Sequence, residues 1–250
     1  MTKIILCGCS GKMGSVITEL CSADENIEIV AGVDNYDCGK YAYPVYKSFE
    51  TVDKKADVII DFSNPAVLDS LLNYAKRNNT AVVLATTGYD QTQIQKIQDA
   101  AKEIPIFFSF NMSLGINLMC ALAKTAAKVL GEDFDIEIIE KHHNQKIDAP
   151  SGTAIMLANA ISDELETKPL YEYDRHSKRE KRKKNEIGIH SVRGGTIVGE
   201  HEVIFAGTDE IVSIKHQAMS KKIFAAGAIN AARFIKDKPQ GLYSMQNMVD

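Results

Sequence analysis

Residues 140–154 carry the side chains of this chain that are best suited to chemistry. Two adjacent histidines, His142 and His143, are followed by Lys146. Histidine donates or accepts a proton near neutral pH, and lysine is a cation with three hydrogen-bond donors. Residues 150–153 read Pro-Ser-Gly-Thr and precede an apolar helical pattern, which predicts a helix N-terminus of the kind that binds anions. Together these features predict a site that binds a small carboxylate substrate and protonates it.

The elements around this stretch are predicted from the spacing of apolar residues. Residues 134–139 alternate as a strand does, and a helix is predicted from residue 151 to 166. A strand therefore leads the two histidines into a loop that a helix closes. A surface loop with a capped helix is the alternative, because each of these residues alone is usually structural. The full set favours a site, because its polar residue types fit a single chemistry.

A glycine-rich turn at residues 8–14 predicts a dinucleotide site. Residues 3–7 form an apolar strand pattern, the turn reads Gly-Cys-Ser-Gly-Lys-Met-Gly, and a helical pattern follows. A second predicted strand at residues 27–33 ends at Asp34. Glycines let the backbone approach a pyrophosphate, and an acidic residue after the second strand binds ribose hydroxyls. A plain glycine turn is the alternative, but its place between strand and helix favours the dinucleotide site.

Asp34 also bears on the choice of cofactor. A carboxylate suits a free 2′-hydroxyl and repels a 2′-phosphate. Asn35 follows, and no lysine or arginine is adjacent. The sequence therefore favours NADH over NADPH, although Lys12 or Lys40 could reach a phosphate from a loop.

Strand and helix patterns continue to alternate through the first hundred residues. Strands are predicted at residues 57–62, 81–85 and 105–110, with helical patterns between them. This order predicts an α/β fold with a doubly wound parallel sheet of the Rossmann type. Ligands bind at the carboxyl ends of such strands. Three polar segments follow the predicted strands there and are expected near a nicotinamide ring, namely residues 61–63, 86–88 and 109–112.

The chain leaves the alternating pattern after residue 113. A helix is predicted at residues 114–130, and strands at 187–192, 196–205 and 211–215 have no helix between them. Turn residues at 194–195 and 207–209 predict hairpins, so this region is expected to be an α+β domain for substrate binding and oligomerisation. A last helix, residues 220–235, is expected to pack on the first domain. The predicted domains are 1–112 plus 217–250, and 113–216.

The composition limits the classes of partner. The chain has 250 residues and a formal net charge of -4, which gives no bulk attraction to nucleic acid or anionic lipid. Residues 175–184 hold seven lysines or arginines without interleaved aromatics, and we expect a solvated, mobile loop there that could lie over the site. No apolar run spans a membrane, and the five cysteines show no zinc spacing. A cytoplasmic enzyme with reduced cysteines and no metal is expected.

These motifs resemble one family closely. The glycine turn, Asp-Phe-Ser at 61–63, Thr-Thr-Gly at 86–88 and the motif at residues 140–154 are similar to those of dihydrodipicolinate reductase. Arg193 and the Gly-Glu-His at 199–201 fit the same pattern. The resemblance implies an NAD(P)H-dependent reductase of the diaminopimelate route to lysine. It also implies a two-domain fold, a homotetramer and a cytoplasmic location.

The resemblance implies roles for individual residues. His142 is the implied proton donor, and Lys146 its partner in proton donation or binding. The residues implied to bind the substrate carboxylates are His143, Ser151, Gly152 and Thr153. The residues implied to contact the cofactor are Gly8, Cys9, Ser10, Gly11, Lys12, Met13, Asp34, Ala85, Thr86, Thr87, Ser109, Phe110, Asn111 and Met112. Ala85 stands where the family usually has glycine and Met112 where an aromatic is common, but main-chain contacts survive both changes.

Two other functions share parts of these patterns. A different oxidoreductase, such as an amino-acid or sugar dehydrogenase, could have the same first domain but would not need the residues from His142 to Thr153 in this form. A non-catalytic dinucleotide sensor could use the same loop as a partner surface. Binding of a dicarboxylate together with NADH separates the reductase from both.

Overall fold

The structure is a computed structural model that describes residues 1–37 and 39–249. The chain folds into two compact units. The first holds Met1–Leu114 together with the segment from Lys221 onwards, and the second holds Gly115–Ser220. The domain boundaries expected from the sequence are residues 112 and 217.

The two units are built from twelve strands and seven α-helices in the described part of the chain. The strands are β1 (Thr2–Cys7), β2 (Ile27–Val33), β3 (Val45–Tyr46), β4 (Val58–Asp61), β5 (Ala81–Leu84), β6 (Pro105–Phe108), β7 (Asp135–His142), β8 (Leu170–Glu172), β9 (Glu186–Arg193), β10 (Gly199–Ala206), β11 (Ile211–Ala218) and β12 (Gly241–Tyr243). The helices are α1 (Lys12–Ser22), α2 (Leu68–Asn78), α3 (Gln91–Ala100), α4 (Leu114–Leu130), α5 (Gly152–Ser162), α6 (Lys222–Ile235) and α7 (Gln246–Val249).

The first unit contains a seven-stranded parallel sheet. Its strand order is β12-β6-β5-β4-β1-β2-β3. Alternate residues of the central strands face opposite sides, so Ile4 packs in the cluster with α1 and α6 while Ile5 packs in the cluster with α2 and α3. Helices on both faces explain why these strands read as continuous apolar runs. The predicted doubly wound parallel sheet is confirmed.

The second unit contains a five-stranded sheet in the order β11-β10-β7-β9-β8. The predicted hairpin at residues 207–209 is confirmed, because β10 and β11 pair antiparallel. The predicted hairpin at residues 194–195 is wrong. β7 lies between β9 and β10 and pairs parallel with β9, so the turn after β9 crosses the end of β7. The sheet is mixed, and turn chemistry alone did not reveal its central strand.

Several predicted boundaries differ from the observed ones. β7 continues to His142, three residues beyond the predicted end, because Glu140, Lys141 and His142 still pair with β9. α5 ends at Ser162 rather than at residue 166. The short strands β3, β8 and β12 and the short helix α7 were not predicted, because two to four residues carry too little periodicity.

Ion pairs connect the basic segment 175–184 to strand β7 of the same unit. Arg182 contacts Asp135 at 2.7 Å and Glu137 at 3.1 Å, and Arg175 contacts Glu137 at 2.8 Å. Arg182 also donates to the Glu186 carbonyl at 2.6 Å. The prediction of a solvated loop is therefore wrong for Arg182, because acidic side chains of β7 face it.

The described residues have neither a membrane-spanning helix nor a cluster of metal ligands. None of the helices there combines the length and hydropathy of a membrane span. No group of three or more histidine, cysteine or acidic side chains in residues 1–37 and 39–249 is arranged to hold a metal ion. Cys7, Cys9, Cys21 and Cys120 form no disulfide with one another, and Cys38 lies outside the described residues.

Candidate active site

The glycine-rich turn after β1 requires residues without side chains. Gly8 has a φ of +79°, and a Cβ on it would lie 2.4 Å from the Phe62 carbonyl oxygen. A Cβ on Gly14 would lie 2.3 Å from the Gly8 carbonyl oxygen. Only glycine therefore lets α1 begin this close to the strand ends. The N-cap of α1 is Gly11, which has no side chain to cap the first N–H groups, so the helix N-terminus suits an anion.

Asp34 follows β2, as the sequence predicted, and is tied to the glycine turn. Its Oδ2 accepts from the Ser10 backbone N–H at 3.0 Å, and its Oδ1 accepts from the Tyr36 N–H at 3.3 Å. A carboxylate has about four lone-pair sites, so Asp34 can still accept ribose hydroxyls. Because the Ser10 N–H donates to Asp34, this N–H holds the carboxylate in place.

A buried carboxylate links the ends of β4 and β5. Asp61 is 1% exposed, and its Oδ2 accepts from the Tyr89 hydroxyl at 3.1 Å. Ser63 donates to its other oxygen at 2.5 Å, while the Ser63 N–H donates to Thr86 Oγ1 at 2.8 Å. Burial raises the pKa of Asp61 despite these hydrogen bonds. Ala85, beside Thr86, is buried, whereas Thr87 is exposed.

The turn after β6 has one exposed and one buried hydrophobic side chain. Phe110 is 68% exposed, but Met112 is 3% exposed and packs in the core cluster that includes α6. Asn111 Oδ1 accepts from the Ser113 N–H at 2.8 Å, and the Ser109 hydroxyl donates to the Asn111 carbonyl at 3.0 Å. In this fold these turns lie at the carboxyl ends of the parallel strands, where Rossmann-type sheets bind ligands.

In the second unit, Glu140 is the centre of a hydrogen-bond network. Its side chain is fully buried. Oε2 lies 2.6 Å from His142 Nδ1, and Oε1 accepts from the Ser151 backbone N–H at 3.0 Å. Arg193 donates to both oxygens, at 2.8 Å and 2.7 Å. Burial alone would raise the pKa of Glu140, but the donors from Arg193 and His142 lower it to about 2, so the carboxylate is ionised.

The environment of His142 follows from its place at the end of β7. Residues 140 and 142 lie on one face of the strand, so Glu140 and the imidazole are neighbours. Burial lowers the pKa of His142, and Lys146 and Arg193 add to this, while Glu140 opposes it. A Cβ on Gly199 would lie 3.1 Å from His142 Nε2. Glycine at position 199 therefore leaves space beside that nitrogen.

Lys146 and His143 lie in the loop that follows β7. Lys146 Nζ is 2.8 Å from Asp148 Oδ1, which lowers the pKa of Asp148. Within the described structure, His143 Nδ1 is buried and has no hydrogen-bond partner. A buried polar atom without a partner is costly and suits a ligand-binding role.

The start of α5 is held by a serine and a buried histidine. Ser151 caps the helix by accepting from the Ala154 N–H at 3.2 Å, and its Oγ lies 2.9 Å from His201 Nε2. The next residue is Gly152. Apart from its chain neighbours and the nearby backbone of its own helix, no described atom lies within 4 Å of the position of a Cβ there. Thr153 also lies in this first turn. The helix N-terminus therefore has open space beside it.

The turn between β9 and β10 holds the loop that carries His143. The Gly194 N–H donates to the His142 carbonyl at 2.9 Å, and the Asn144 N–H donates to the Gly195 carbonyl at 3.2 Å. Gly195 has a φ of +48°. The glycine pair that was predicted to form a hairpin instead fixes the main chain at the end of β7.

The sequence interpretation missed the roles of Glu140, Arg193, His201 and Asp61. Period-two spacing could have paired Glu140 with His142. For Arg193, the only sequence signal is the resemblance. The contacts of Arg193 and His201 depend on strand register, because β7 pairs with both β9 and β10 and so brings these two residues to Glu140.

The sequence matches two family descriptions that together cover nearly all of the chain. Residues 2–112 match "Dihydrodipicolinate reductase, N-terminus", and residues 115–249 match "Dihydrodipicolinate reductase, C-terminus". The chain belongs to the dihydrodipicolinate reductase family. It is therefore an oxidoreductase, and the family is NAD(P)H-dependent.

Individual relatives are similar over their full length. The chain is 50% identical to the 4-hydroxy-tetrahydrodipicolinate reductase of Clostridium novyi (strain NT), covering 100% of this chain and 98% of the relative. It is 51% identical to the enzyme of the same name from Caldanaerobacter subterraneus subsp. tengcongensis, with the same coverage. A solved structure described as dipicolinate-bound dihydrodipicolinate reductase from Paenisporosarcina sp. TG-14 superposes with a TM-score of 0.83 at 28% identity, covering 99% of each chain.

The buried histidine of this site predicts a pH dependence of stability. Burial lowers the pKa of His201 to about 4, below the value near 6.5 expected for the unfolded chain. Above pH 6.5 the ring is neutral in both states. As the pH falls from about 6.5 to about 4, the unfolded state binds the proton first, so the folded state loses roughly 3 kcal/mol.

Between about pH 7 and pH 4.5 the unfolding free energy of the wild type should decrease. In His201→Gln this decrease should be smaller by roughly 2 to 3 kcal/mol. Urea denaturation at the two pH values measures this. His176→Gln, at an exposed histidine of the same unit, should behave like the wild type. Equal acid losses for the wild type and His201→Gln would contradict the buried neutral state.

Proposed function

We propose that this protein reduces 4-hydroxy-tetrahydrodipicolinate to tetrahydrodipicolinate with NAD(P)H, in lysine biosynthesis by the diaminopimelate route. The net change is addition of a hydride and a proton, with loss of the 4-hydroxyl group as water. The observation that carries the proposal is the 2.6 Å contact between the ionised Glu140 and His142 Nδ1, beside the open N-terminus of α5. A proton donor next to a carboxylate site is what this substrate requires. Full-length identity of about half to reductases of this name supports it.

The first unit fits a dinucleotide at its glycine turn. The close approach at Gly8 and Gly14 and the side-chain-free N-cap Gly11 suit a pyrophosphate, and Asp34 suits the ribose. We propose that the backbone of residues 8–13 holds the pyrophosphate, apart from the Ser10 N–H, which donates to Asp34. Residues 85–87 and 109–112, at the ends of β5 and β6, would hold the nicotinamide end. When bound, the reduced nicotinamide supplies the hydride.

The second unit would bind the dicarboxylate through three kinds of donor. We propose that the backbone N–H groups of Gly152 and Thr153 donate to one carboxylate, with Ser151 fixing the helix start. The buried Nδ1 of His143 supports a ligand contact for that side chain. Lys146 adds a cation, held in place by Asp148 at 2.8 Å. A dianionic substrate would gain from each of these groups.

His142 would deliver the proton. Because Glu140 can only accept, Nδ1 carries a hydrogen and Nε2 is the nitrogen that exchanges a proton with the substrate. In the protein without ligand, burial keeps the pKa of His142 below its ordinary value. A bound dianion would raise it again, so substrate binding would charge the imidazole before it acts as the acid.

NADH rather than NADPH is our proposal for the preferred cofactor. The Asp34 carboxylate would repel a 2′-phosphate, and two backbone N–H groups hold it in place. The basic residues nearest to this carboxylate in sequence on either side are Lys12 and Lys40, and both are exposed. An exposed lysine beside the carboxylate would only partly offset its repulsion of a phosphate, because solvent screens the charge.

We also propose a homotetramer that uses the outer face of the five-stranded sheet. The core cluster of the second unit lies on one face of that sheet. By register, Ile139, Ile204, Ile211 and Val192 lie on the other face. Ile211 is 69% exposed and Val192 is 43% exposed, and a second copy would bury them. The cytoplasmic location stays a prediction.

A coupled assay with enzymatically generated substrate tests the function, because the wild type should consume NAD(P)H in step with the substrate supplied. His142→Gln should lower kcat by roughly 10² to 10⁴-fold, since general acid catalysis contributes about that much. The KM for NADH should stay within about threefold, because the cofactor residues are unchanged. A wild type that is inactive with both cofactors would rule the function out. A variant with nearly wild-type kcat would rule out His142 as the acid.

Replacing the ribose carboxylate should change the cofactor preference. In Asp34→Asn, kcat/KM for NADPH relative to NADH should rise by roughly tenfold or more, because a charge that repels the phosphate is lost. The substrate KM should not change. Asp37→Asn is the matched control, since Asp37 is an exposed acid three residues on that accepts from the Gly39 N–H at 2.8 Å. An unchanged ratio in Asp34→Asn would contradict the ribose assignment.

Light scattering tests the assembly. The wild type should have four times the 27.5 kDa protomer mass. Ile211→Lys should give a smaller species, because it places a charge on the outer sheet face. Val129→Lys, at an apolar residue of α4 that is 77% exposed, should keep the wild-type mass. A wild type with the protomer mass would contradict the tetramer.

A further inference from the structure

We propose that Glu140 is a positioning residue that holds the proton donor and the start of the carboxylate-binding helix as one unit, and sets which nitrogen of His142 is the donor. The inference rests on the proposed function, because it assigns a task to a residue that does not itself touch the substrate. It is carried by the contacts of a single buried side chain.

Glu140 receives four hydrogen bonds although it is fully shielded from solvent. Oε1 accepts from Ser151 N–H at 3.0 Å and from Arg193 Nη2 at 2.7 Å. Oε2 accepts from His142 Nδ1 at 2.6 Å and from Arg193 Nη1 at 2.8 Å. A buried charge is tolerated only when it is paired and hydrogen-bonded, and these four donors meet both conditions. The carboxylate therefore has a fixed position, and so do the groups bound to it.

One of those groups is the imidazole of His142. A free imidazole interchanges its two neutral tautomers, and a carboxylate on Nδ1 selects the one with hydrogen at Nδ1. The proton that the substrate receives must then pass through Nε2. Gly199 leaves room on that side, since a Cβ there would lie 3.1 Å from Nε2. Glu140 thus selects the nitrogen, and glycine at position 199 avoids a close side-chain contact with it.

A second group is the backbone at the start of α5. Glu140 accepts a hydrogen bond from the backbone N–H of Ser151, the residue immediately before Gly152. On its other side, Ser151 Oγ contacts the buried His201 at 2.9 Å. Any displacement of Glu140 would therefore move the helix start and the imidazole together. A rearranged helix start would weaken carboxylate binding. Weaker binding of a dicarboxylate would therefore distinguish a positioning role of Glu140 from a role that only supports the fold.

The titratable and charged groups that face His142 come from four elements. Glu140 lies on the same strand, Lys146 on the following loop, Arg193 on β9 and His201 on β10. The two cations and burial all disfavour the imidazolium, and Glu140 is the carboxylate in contact with it. Loss of the Glu140 charge should therefore disfavour the imidazolium further. Loss of the Arg193 charge should have the opposite effect.

The test begins with Glu140→Gln, which keeps the shape and removes the charge. NMR titration of the ligand-free protein follows the His142 ring signal, assigned by its absence in His142→Gln. The His142 pKa should fall by roughly one to three pH units. In the coupled assay, kcat should fall by roughly 10 to 100-fold, the alkaline limb of the kcat profile should move to lower pH, and the Kd for pyridine-2,6-dicarboxylate should rise. The Kd for NADH should not change.

Arg193→Gln provides a test of opposite sign, and it decides the question if Glu140→Gln does not fold. Its His142 pKa should rise, and the alkaline limb should move to higher pH. Glu137→Gln is the matched control. Glu137 lies on the same strand, facing the other way, and it also contacts a histidine nitrogen, His190 Nε2, at 2.7 Å, and two arginines. It should leave the His142 pKa and the kcat profile unchanged.

Two results would overturn the inference. One is an unmoved His142 pKa in the folded Glu140→Gln variant, or in Arg193→Gln if the first does not fold. The other is an equal shift in Glu137→Gln, which would mean that the effect is general electrostatics. A wild type that is inactive with both cofactors overturns the proposed function instead. An active wild type with an unmoved His142 pKa overturns this inference alone.

Discussion

The second unit depends on one buried carboxylate. Glu140 is fully buried, where an unpaired charge would be too costly to keep. Its stability therefore requires Arg193, the Ser151 N–H and His142 Nδ1 at hydrogen-bond distance. The same requirement gathers the end of β7, the end of β9 and the start of α5. The same four hydrogen bonds thus pair the buried charge and fix the position of the His142 imidazole.

The first unit depends on close backbone contact rather than on charge. Its glycine turn brings α1 so near to the strand ends that a Cβ at Gly8 or Gly14 would overlap a carbonyl oxygen. The N-cap of this helix is Gly11, so no side chain caps the N–H groups of the helix start. Asp34 is held by the backbone of Ser10, which belongs to the same turn. The Asp34 carboxylate and the glycine turn are therefore one structure and respond together to changes in the turn.

Buried polar clusters recur at the strand ends of both units. Asp61 binds Ser63 and Tyr89 in the first unit, much as Glu140 binds its partners in the second. The two differ in charge balance. Asp61 has neutral donors, and burial raises its pKa, whereas Glu140 has an arginine, and its pKa falls to about 2. A permanent cation is what keeps the second carboxylate ionised beside the imidazole.

Local patterns predicted much of the fold and many candidate residues. The apolar runs of the first hundred residues predicted the parallel sheet, because strands covered on both faces lack polar positions. Residue types and spacing at 140–154 singled out His142, Lys146 and the helix start, because proton exchange and anion binding each require a small set of side chains. Hairpin chemistry was less informative. The turn at Gly194 and Gly195 has the composition of a hairpin, yet it spans the end of a third strand.

The sequence by itself determined the fold class of the first unit, the position of the glycine turn and the residues that could carry a proton. These depend on interactions between residues close together in the chain, which periodicity and spacing record. Only the tertiary structure decided which groups surround His142. Arg193 lies 53 positions and His201 61 positions beyond Glu140, and they reach it because β7 is inserted between β9 and β10. That insertion is a matter of strand register, which is set by packing of the whole sheet and leaves no signal in any short stretch of sequence.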